Sequence, residues 1–78
     1  FGDNHKAKFG TGGDLEIYHD GANSFISDVG TGSLKILSGS VFVRNPSDAS
    51  MIDAQSGGAV TLYHNNSSKL ATTATGVS

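Results

Sequence analysis

Two short runs carry the side chains with which this chain could do chemistry: Tyr18-His19-Asp20 and Tyr63-His64-Asn65. An imidazole beside a carboxylate could serve acid–base catalysis, and a neutral imidazole is a common metal ligand. Neighbouring residues of a β-strand point to opposite faces, so the Tyr18 and His19 side chains would diverge. No serine or cysteine lies in a recognisable nucleophile motif. We therefore predict that the chain is not an enzyme and that it holds no cofactor and no metal.

The candidate binding residues are Tyr18, Tyr63, His19 and His64. The tyrosines could stack on a host surface glycan. The histidines could meet their symmetry mates on a threefold axis, where three imidazoles can bind a metal, an anion or a water. Each chain would supply only one histidine per level, so the sequence favours the alternative. In that alternative the strand ends at His19, and the exposed ring bonds to a turn carbonyl.

The elements that would position these residues are short β-strands. Leu15, Ile17 and His19 alternate with Glu16 and Tyr18, which predicts a strand with one apolar and one polar face. The pattern returns 45 residues later, because 63 − 18 = 45 for the tyrosines and 64 − 19 = 45 for the histidines. The sequence thus contains an internal repeat, 12–27 and 57–72. We predict the same strand–turn–strand path in both copies.

Turn residues recur every nine positions. Glycines occupy positions 12, 21, 30 and 39, and the series continues through Asp48, Gly57 and Asn66. Short apolar runs follow each turn, and glycine interrupts every candidate helix, so the pattern predicts an all-β segment that spans residues 1–78. The predicted strands are 6–9, 14–19, 24–27, 33–37, 40–44, 50–54, 59–64, 68–72 and a last one that begins near 76.

Composition indicates that the core is shared. The chain has 78 residues, of which only 36% are apolar, and it has no cysteine. A chain of this size buries only about 60% of its unfolded surface even with an ordinary core. Two architectures would complete the core: an intertwined homotrimer and a single-chain β-solenoid. A nine-residue step fits one strand plus a turn, which favours the homotrimer, with Leu34 and Ile36 among the residues in its interior.

Charge and hydropathy exclude two classes of partner. The net charge is −2, and the few cations are scattered along the chain, so no basic patch for nucleic acid is predicted. No apolar run is long enough to span a bilayer, and we predict no membrane insertion.

Two weaker motifs have simpler explanations. The run from Gly10 to Leu15 partly matches a calcium-binding nonapeptide, but Leu15 follows Asp14 directly instead of lying two positions beyond it. A glycine turn with positive φ is therefore favoured. Asn65 and Asn66 each begin an N-glycosylation pattern, yet a polar turn has the same composition.

The run from Lys8 to Ile26, and the later run from Val60 to Ser78, resemble repeats of tail-fibre and other structural proteins of marine bacteriophages, notably those that infect cyanobacteria. Residues 37–56 match no family that we can name. The resemblance implies a fibrous, trimeric, extracellular component of the virion that takes part in host attachment and has no catalytic residues. Its partners would be copies of itself and other tail or fibre proteins. The alternative function is a carbohydrate- or receptor-binding β module of a virion or bacterial surface protein.

Overall fold

The fold is all-β, as the sequence predicts, and the computed structural model describes residues 1–77. No helix occurs in this part of the chain, and hence none that could cross a membrane. The chain divides into two compact units, Phe1–Lys35 and Ile36–Ser78. The strands are β1 (Ala7–Phe9), β2 (Leu15–His19), β3 (Ser24–Asp28), β4 (Ser40–Arg44), β5 (Ser50–Gln55), β6 (Val60–His64), β7 (Ser67–Thr73) and β8 (Gly76–Val77).

The first unit is one antiparallel sheet in the order β1-β2-β3. Ala7 lies opposite Ile17, and Ile17 lies opposite Ile26, so these three side chains share one face. Tyr18 lies opposite Phe25 on the other face. The predicted alternation therefore organises the sheet: one face is apolar, and the second carries the tyrosine.

The second unit is an antiparallel sheet in the order β4-β5-β6-β7-β8. Its apolar face is a row across four strands, in which Val43 lies opposite Ile52, Ile52 opposite Leu62, and Leu62 opposite Leu70. The register shifts between Val43 and Arg44 and again between Leu62 and Tyr63. The second shift coincides with the start of the Tyr-His pair.

The two copies of the repeat form hairpins whose turns differ. β2 and β6 are 45 residues apart at both ends. His19 pairs with Ser24 across a four-residue turn, whereas His64 pairs with Ser67 across Asn65 and Asn66 alone. The two asparagines have φ of 49° and 66°, the positive values that a two-residue type I′ hairpin requires. The repeated strand therefore pairs with the strand that follows it in a different register in each copy.

Neither unit has an enclosed core. None of the described residues is buried, whether apolar or polar. Each unit is a single sheet layer, and a single layer leaves both of its faces without a covering element. The strands form because each pairs with its neighbour in the chain, and the apolar faces remain accessible.

The predicted strand at 33–37 is wrong. These residues are in no strand, and their backbone groups make no hydrogen bonds within residues 1–77. The reason lies just upstream, because the amides of Val29 and Gly30 donate to the carbonyl of Asp14 at 2.8 and 3.2 Å and hold the chain beside β2. Leu34 and Ile36 consequently lie exposed. The other predicted strands agree with the structure to within one residue at either end.

The strand pairings also bear on the single-chain solenoid. Every pairing described is antiparallel and joins strands that are consecutive in the chain. The coils of a parallel β-helix instead stack their strands in parallel. The solenoid alternative is therefore not found in residues 1–77.

Candidate functional site

The polar face of the first unit is built around the Tyr18 ring. This ring stacks on Phe25 with a centroid separation of 4.7 Å and an interplanar angle of 14°. The Lys6 ammonium lies 4.6 Å from the Tyr18 centroid. Lys6 immediately precedes β1 and Phe25 lies on β3, and these strands flank β2 on opposite sides, so the two groups approach the ring from opposite sides. Both faces of the aromatic system are therefore occupied, and a sugar could stack on Tyr18 only by displacing one of them.

Glu16 completes this polar face. Its carboxylate lies 3.1 Å from the Lys6 ammonium and 3.9 Å from the Lys8 ammonium, and its side chain is only 12% exposed. Ile17, on the apolar face, is 43% exposed. Long side chains fold over the polar face, while nothing covers the apolar one.

The polar face of the second unit is built around the Asp53 carboxylate. The Tyr63 hydroxyl donates to Asp53 Oδ2 at 3.1 Å, and the Ser50 hydroxyl donates to the same oxygen at 3.4 Å. Asp53 Oδ1 is buried and accepts no hydrogen bond from the described residues. The bond to the Asp53 carboxylate raises the pKa of Tyr63, because deprotonation would lose that bond and set two negative charges together.

A cation covers the neighbouring aromatic ring of the second unit. The Arg44 guanidinium carbon lies 4.5 Å from the Phe42 centroid, and Arg44 Nη1 lies 3.5 Å from the Asp48 carboxylate. Both units therefore combine an acid, a tyrosine, a phenylalanine and at least one cation on the polar face. The strand pattern predicts the tyrosines, whereas the partners come from other strands and were not predicted.

The histidines lie at strand ends. β2 ends at His19, whose ring is exposed and whose Nδ1 lies 2.9 Å from the Ser24 hydroxyl. The partner is thus a side chain from across the hairpin and not the predicted turn carbonyl. His64 ends β6 in the same way and is exposed. Residues 1–77 contain no group of three His, Cys, Asp or Glu side chains that could hold a metal ion.

The Ser24–His19 pair has the two groups of a nucleophilic dyad, a serine hydroxyl within hydrogen-bond distance of an imidazole nitrogen. Such a dyad needs a third group that orients the imidazole. The adjacent Asp20 carboxylate instead accepts the amides of Ala22 and Asn23 at 2.9 and 2.7 Å, and these bonds lower the pKa of Asp20. The acid closes the turn and leaves His19 without an orienting partner. The geometry is that of a hairpin-end hydrogen bond.

Glycines from the loop before β2 and from the segment after β3 surround the Asp14 side chain. A Cβ atom on Gly30 would lie 2.7 Å from Asp14 Cβ, and one on Gly10 would lie 2.6 Å from Asp14 Oδ2. Gly10 and Gly13 have φ of 92° and 68°. The predicted glycine turn is therefore confirmed. Glycine is needed here both for positive φ and to leave space for Asp14.

An open groove lies at the His19 end of the first unit. Its volume is about 450 Å³, and its lining is formed by Ile17, Tyr18, His19, Ser24, Phe25 and Ile26. Most of the lining is apolar, with the Ser24–His19 pair as its polar part. Sequence reasoning finds Tyr18 and His19 but misses Ser24 and Phe25, because only the β2–β3 register brings them to the groove.

Each unit has an accessible apolar face. In the second unit the exposed fractions of the facing side chains fall in a narrow range: Val43 43%, Ile52 39%, Val60 41%, Leu62 40% and Leu70 42%. In the first unit Ile17 is 43% and Ile26 65% exposed. A row of apolar side chains with similar exposed fractions indicates a continuous apolar face rather than scattered surface residues. No protein-family model, curated protein or solved structure matches this chain.

Proposed function

We propose that this chain is a structural β-segment of an extracellular fibre of the phage tail-fibre kind, and that it assembles with copies of itself as a homotrimer. The observation that carries the proposal is the exposed apolar face on each single-layered sheet. Sheets of this kind are stable when another layer covers the apolar face. Copies of the same chain present the same face and can cover one another.

The energetics favour such packing. In the single chain, Leu62 and Leu70 are still 40% and 42% exposed to solvent. Complete burial of a large apolar side chain from water contributes ~1.5–3 kcal/mol, so the remaining fraction corresponds to roughly 1 kcal/mol for each residue of the row. Several such contributions are comparable with the whole stability of a small domain. Assembly would thus supply the core that one chain lacks.

Three copies about an axis suit a fibre. With the apolar faces inward, the polar faces with their ion pairs and aromatic rings lie outward. Sheets that meet edge to edge around the axis leave few free edges, and this avoids uncontrolled aggregation. The function is then mechanical, as a stiff shaft that holds an attachment tip away from the virion. Its partners are other tail or fibre proteins, and it performs no catalysis. The phage assignment itself relies on the sequence resemblance of residues 8–26 and 60–78.

The oligomeric mass tests the proposal. We expect light scattering to give three times the 8.0 kDa chain mass. Leu70→Glu places a charge on the apolar face and should dissociate the assembly. Lys69→Glu is the matched control, because Lys69 is the exposed neighbour in the same strand, and it should leave the mass unchanged. A parent chain that stays folded and monomeric at millimolar concentration would refute the proposal.

The groove of about 450 Å³ favours a second candidate function, the recognition of a glycan at Tyr18 and His19. Sugars bind through hydroxyl contacts beside an apolar wall, and the groove combines the two. A glycan array with the assembled chain is the direct test. Binding that Ser24→Ala abolishes and Ser67→Ala leaves intact would support this function, and an array without any signal would refute it.

A further inference from the structure

Residues 33–37, Ser-Leu-Lys-Ile-Leu, have the sequence of a β-strand but lie in none. Leu34 and Ile36 alternate with Ser33 and Lys35, and glycines at 32 and 39 bound the run. That pattern is typical of a half-buried strand. The segment also lies between Gly30 and Gly39, two members of the nine-residue turn series. Its local preference and its observed state therefore disagree.

The structure leaves this segment without any pairing. Its backbone groups form no hydrogen bonds among residues 1–77. Leu34, Ile36 and Leu37 are exposed by 48%, 67% and 89%. Three exposed large apolar side chains within four residues, and a row of unpaired backbone donors and acceptors, are the features of a strand that can add to a sheet edge.

The free edge that precedes this segment in the chain is β3, and the chain does not turn back onto it. A hairpin would need residues 29–32 to reverse the chain on the far side of β3. The amides of Val29 and Gly30 instead donate to the Asp14 carbonyl at 2.8 and 3.2 Å, which continues the chain along β2. Asp14 is itself held in its glycine pocket. Pairing with β3 of the same chain is thus blocked.

We propose that residues 33–37 form an intermolecular β-strand by adding to the free edge of β3 in a second copy of this chain. An element that cannot pair in its own chain can make the same pairing with an identical neighbour, as in domain swapping. Main-chain hydrogen bonds to an exposed edge supply affinity, and alternating side chains supply specificity. The inference rests on the proposed self-assembly and names the contact that links its copies.

The side chains favour β3 as the acceptor. In the antiparallel register with Ile36 opposite Ile26, the apolar face of the first unit gains a strand, and Leu37 lies opposite Phe25. Lys35 then lies opposite Ser27 on the polar face, diagonal to the Phe25 ring. This repeats the relation of Lys6 to Tyr18, in which an ammonium lies over a ring.

Charge distinguishes the two free edges that flank residues 33–37 in the chain. β3 carries no cation, so nothing on that strand repels Lys35, the one charge of the segment. β4 is also an edge strand, but it carries Arg44, and its cation would repel Lys35. The chemistry therefore selects β3 of the neighbouring copy over β4.

Hydrogen exchange combined with light scattering tests the inference on the unmodified chain. We expect the amides of 33–37 to exchange at the free rate in dilute monomer and to slow by at least tenfold in the assembled chain. If the chain assembles while these amides stay unprotected, the inference is wrong and the proposed function stands. If it never assembles, both are wrong. Protection that persists in the monomer would mean pairing within one chain and would also overturn the inference.

Paired cysteines give a second test, since the chain has no cysteine of its own. Two single variants, Ser27→Cys and Lys35→Cys, are mixed and oxidised, so that any mixed disulfide is intermolecular by design. Directly opposite strand residues are close enough for such a bond. We expect at least fivefold more mixed dimer than from Ser27→Cys with Ser47→Cys, whose residue 47 lies in the turn between β4 and β5. Equal yields would contradict the proposed pairing.

Discussion

The polar faces of the two units carry the same kinds of side chain in different arrangements. In the first unit the acid binds lysines, and the tyrosine is held through its ring between Phe25 and Lys6. In the second unit the acid binds the tyrosine hydroxyl, and the cation covers Phe42 instead. A tyrosine at the same place in a repeated strand is therefore a stacking platform in one unit and a hydrogen-bond donor in the other.

The difference arises from the neighbouring strands. Tyr18 has Phe25 directly opposite on β3, so ring stacking is available to it. Tyr63 has Ser68 opposite on β7, after the shift in register, and turns its hydroxyl to Asp53 on β5. Local sequence places each tyrosine on the polar face, and the partner strand decides which part of the side chain is used. Substitutions and changes in pH should therefore affect the two units differently.

The largest effect is expected at glycines that the nine-residue spacing treats as equal. Gly30→Ala would bring a methyl group within 2.7 Å of Asp14 Cβ, whereas a Cβ on Gly39 meets no atom within 4 Å. Overpacking of this kind costs about 1–3 kcal/mol. We expect Gly30→Ala to lower the free energy of unfolding by that amount in urea denaturation, and Gly39→Ala to leave it nearly unchanged. Equal losses would mean that crowding at Asp14 is not the cause.

Removal of the tyrosine hydroxyls should affect the second unit more. Tyr63→Phe removes one of the two hydroxyl donors to the part-buried Asp53 Oδ2, and the loss of a hydrogen bond to a charged group is destabilising. Tyr18→Phe keeps the stacked ring and the ammonium contact. We expect Tyr63→Phe to lower the melting temperature by about 4 °C, and Tyr18→Phe to change it by less than a quarter of that shift. The reverse order would contradict the assigned roles.

The two hairpin turns should respond differently to alanine. Asn66 has φ of 66°, a left-handed conformation that costs a residue with a Cβ about 1 kcal/mol unless its side chain suits it. We expect Asn66→Ala to lose that amount in chemical denaturation, and Asn66→Gly to recover it. Asn23→Ala in the longer turn of the first unit should be close to neutral, because Asn23 bonds to Asp20 only through its backbone amide and carbonyl.

Acid should weaken the turn of the first unit. The amides of Asn23 and Ala22 stabilise the Asp20 carboxylate and lower its pKa below the ordinary value of 3.8. The stabilisation is present above pH 3.8 and is lost as the pH falls through the lower folded-state pKa. We expect the amide resonances of the turn to lose dispersion below that pH in the parent. Asp20→Ala should already lack the ordered turn at neutral pH, and a parent turn that is insensitive to acid would contradict the prediction.

Alkali should weaken the second unit by a small amount. The Asp53 carboxylate raises the pKa of Tyr63 above its ordinary value of 10.0. The folded state is therefore stabilised at pH values below 10.0, and the stabilisation is lost as the pH rises through the higher folded-state pKa. Spectroscopic titration should resolve two tyrosines, of which the one removed by Tyr63→Phe ionises last. If Tyr18→Phe removes the later transition instead, the assignment is wrong.

Sequence alone determined the all-β class. It predicted seven of the formed strands to within one residue at each end and the eighth at its start. It also predicted which face of its strand each tyrosine would occupy. It could do so because strand alternation and glycine turns are local properties that neighbouring residues specify. It also determined that the apolar content is too thin for an enclosed core in one chain. The glycine turn around Asp14 was predicted for the same reason, since positive φ is a local requirement.

Only the tertiary structure decided which groups meet. The pairing of Lys6 with Glu16, of Tyr18 with Phe25 and of Tyr63 with Asp53 depends on strand register, and register depends on turn length and bulges. The missing strand at 33–37 has the same origin. Its residues favour a strand, but a strand exists only where an edge is within reach, and the hydrogen bonds of Val29 and Gly30 to Asp14 carry the chain away from that edge.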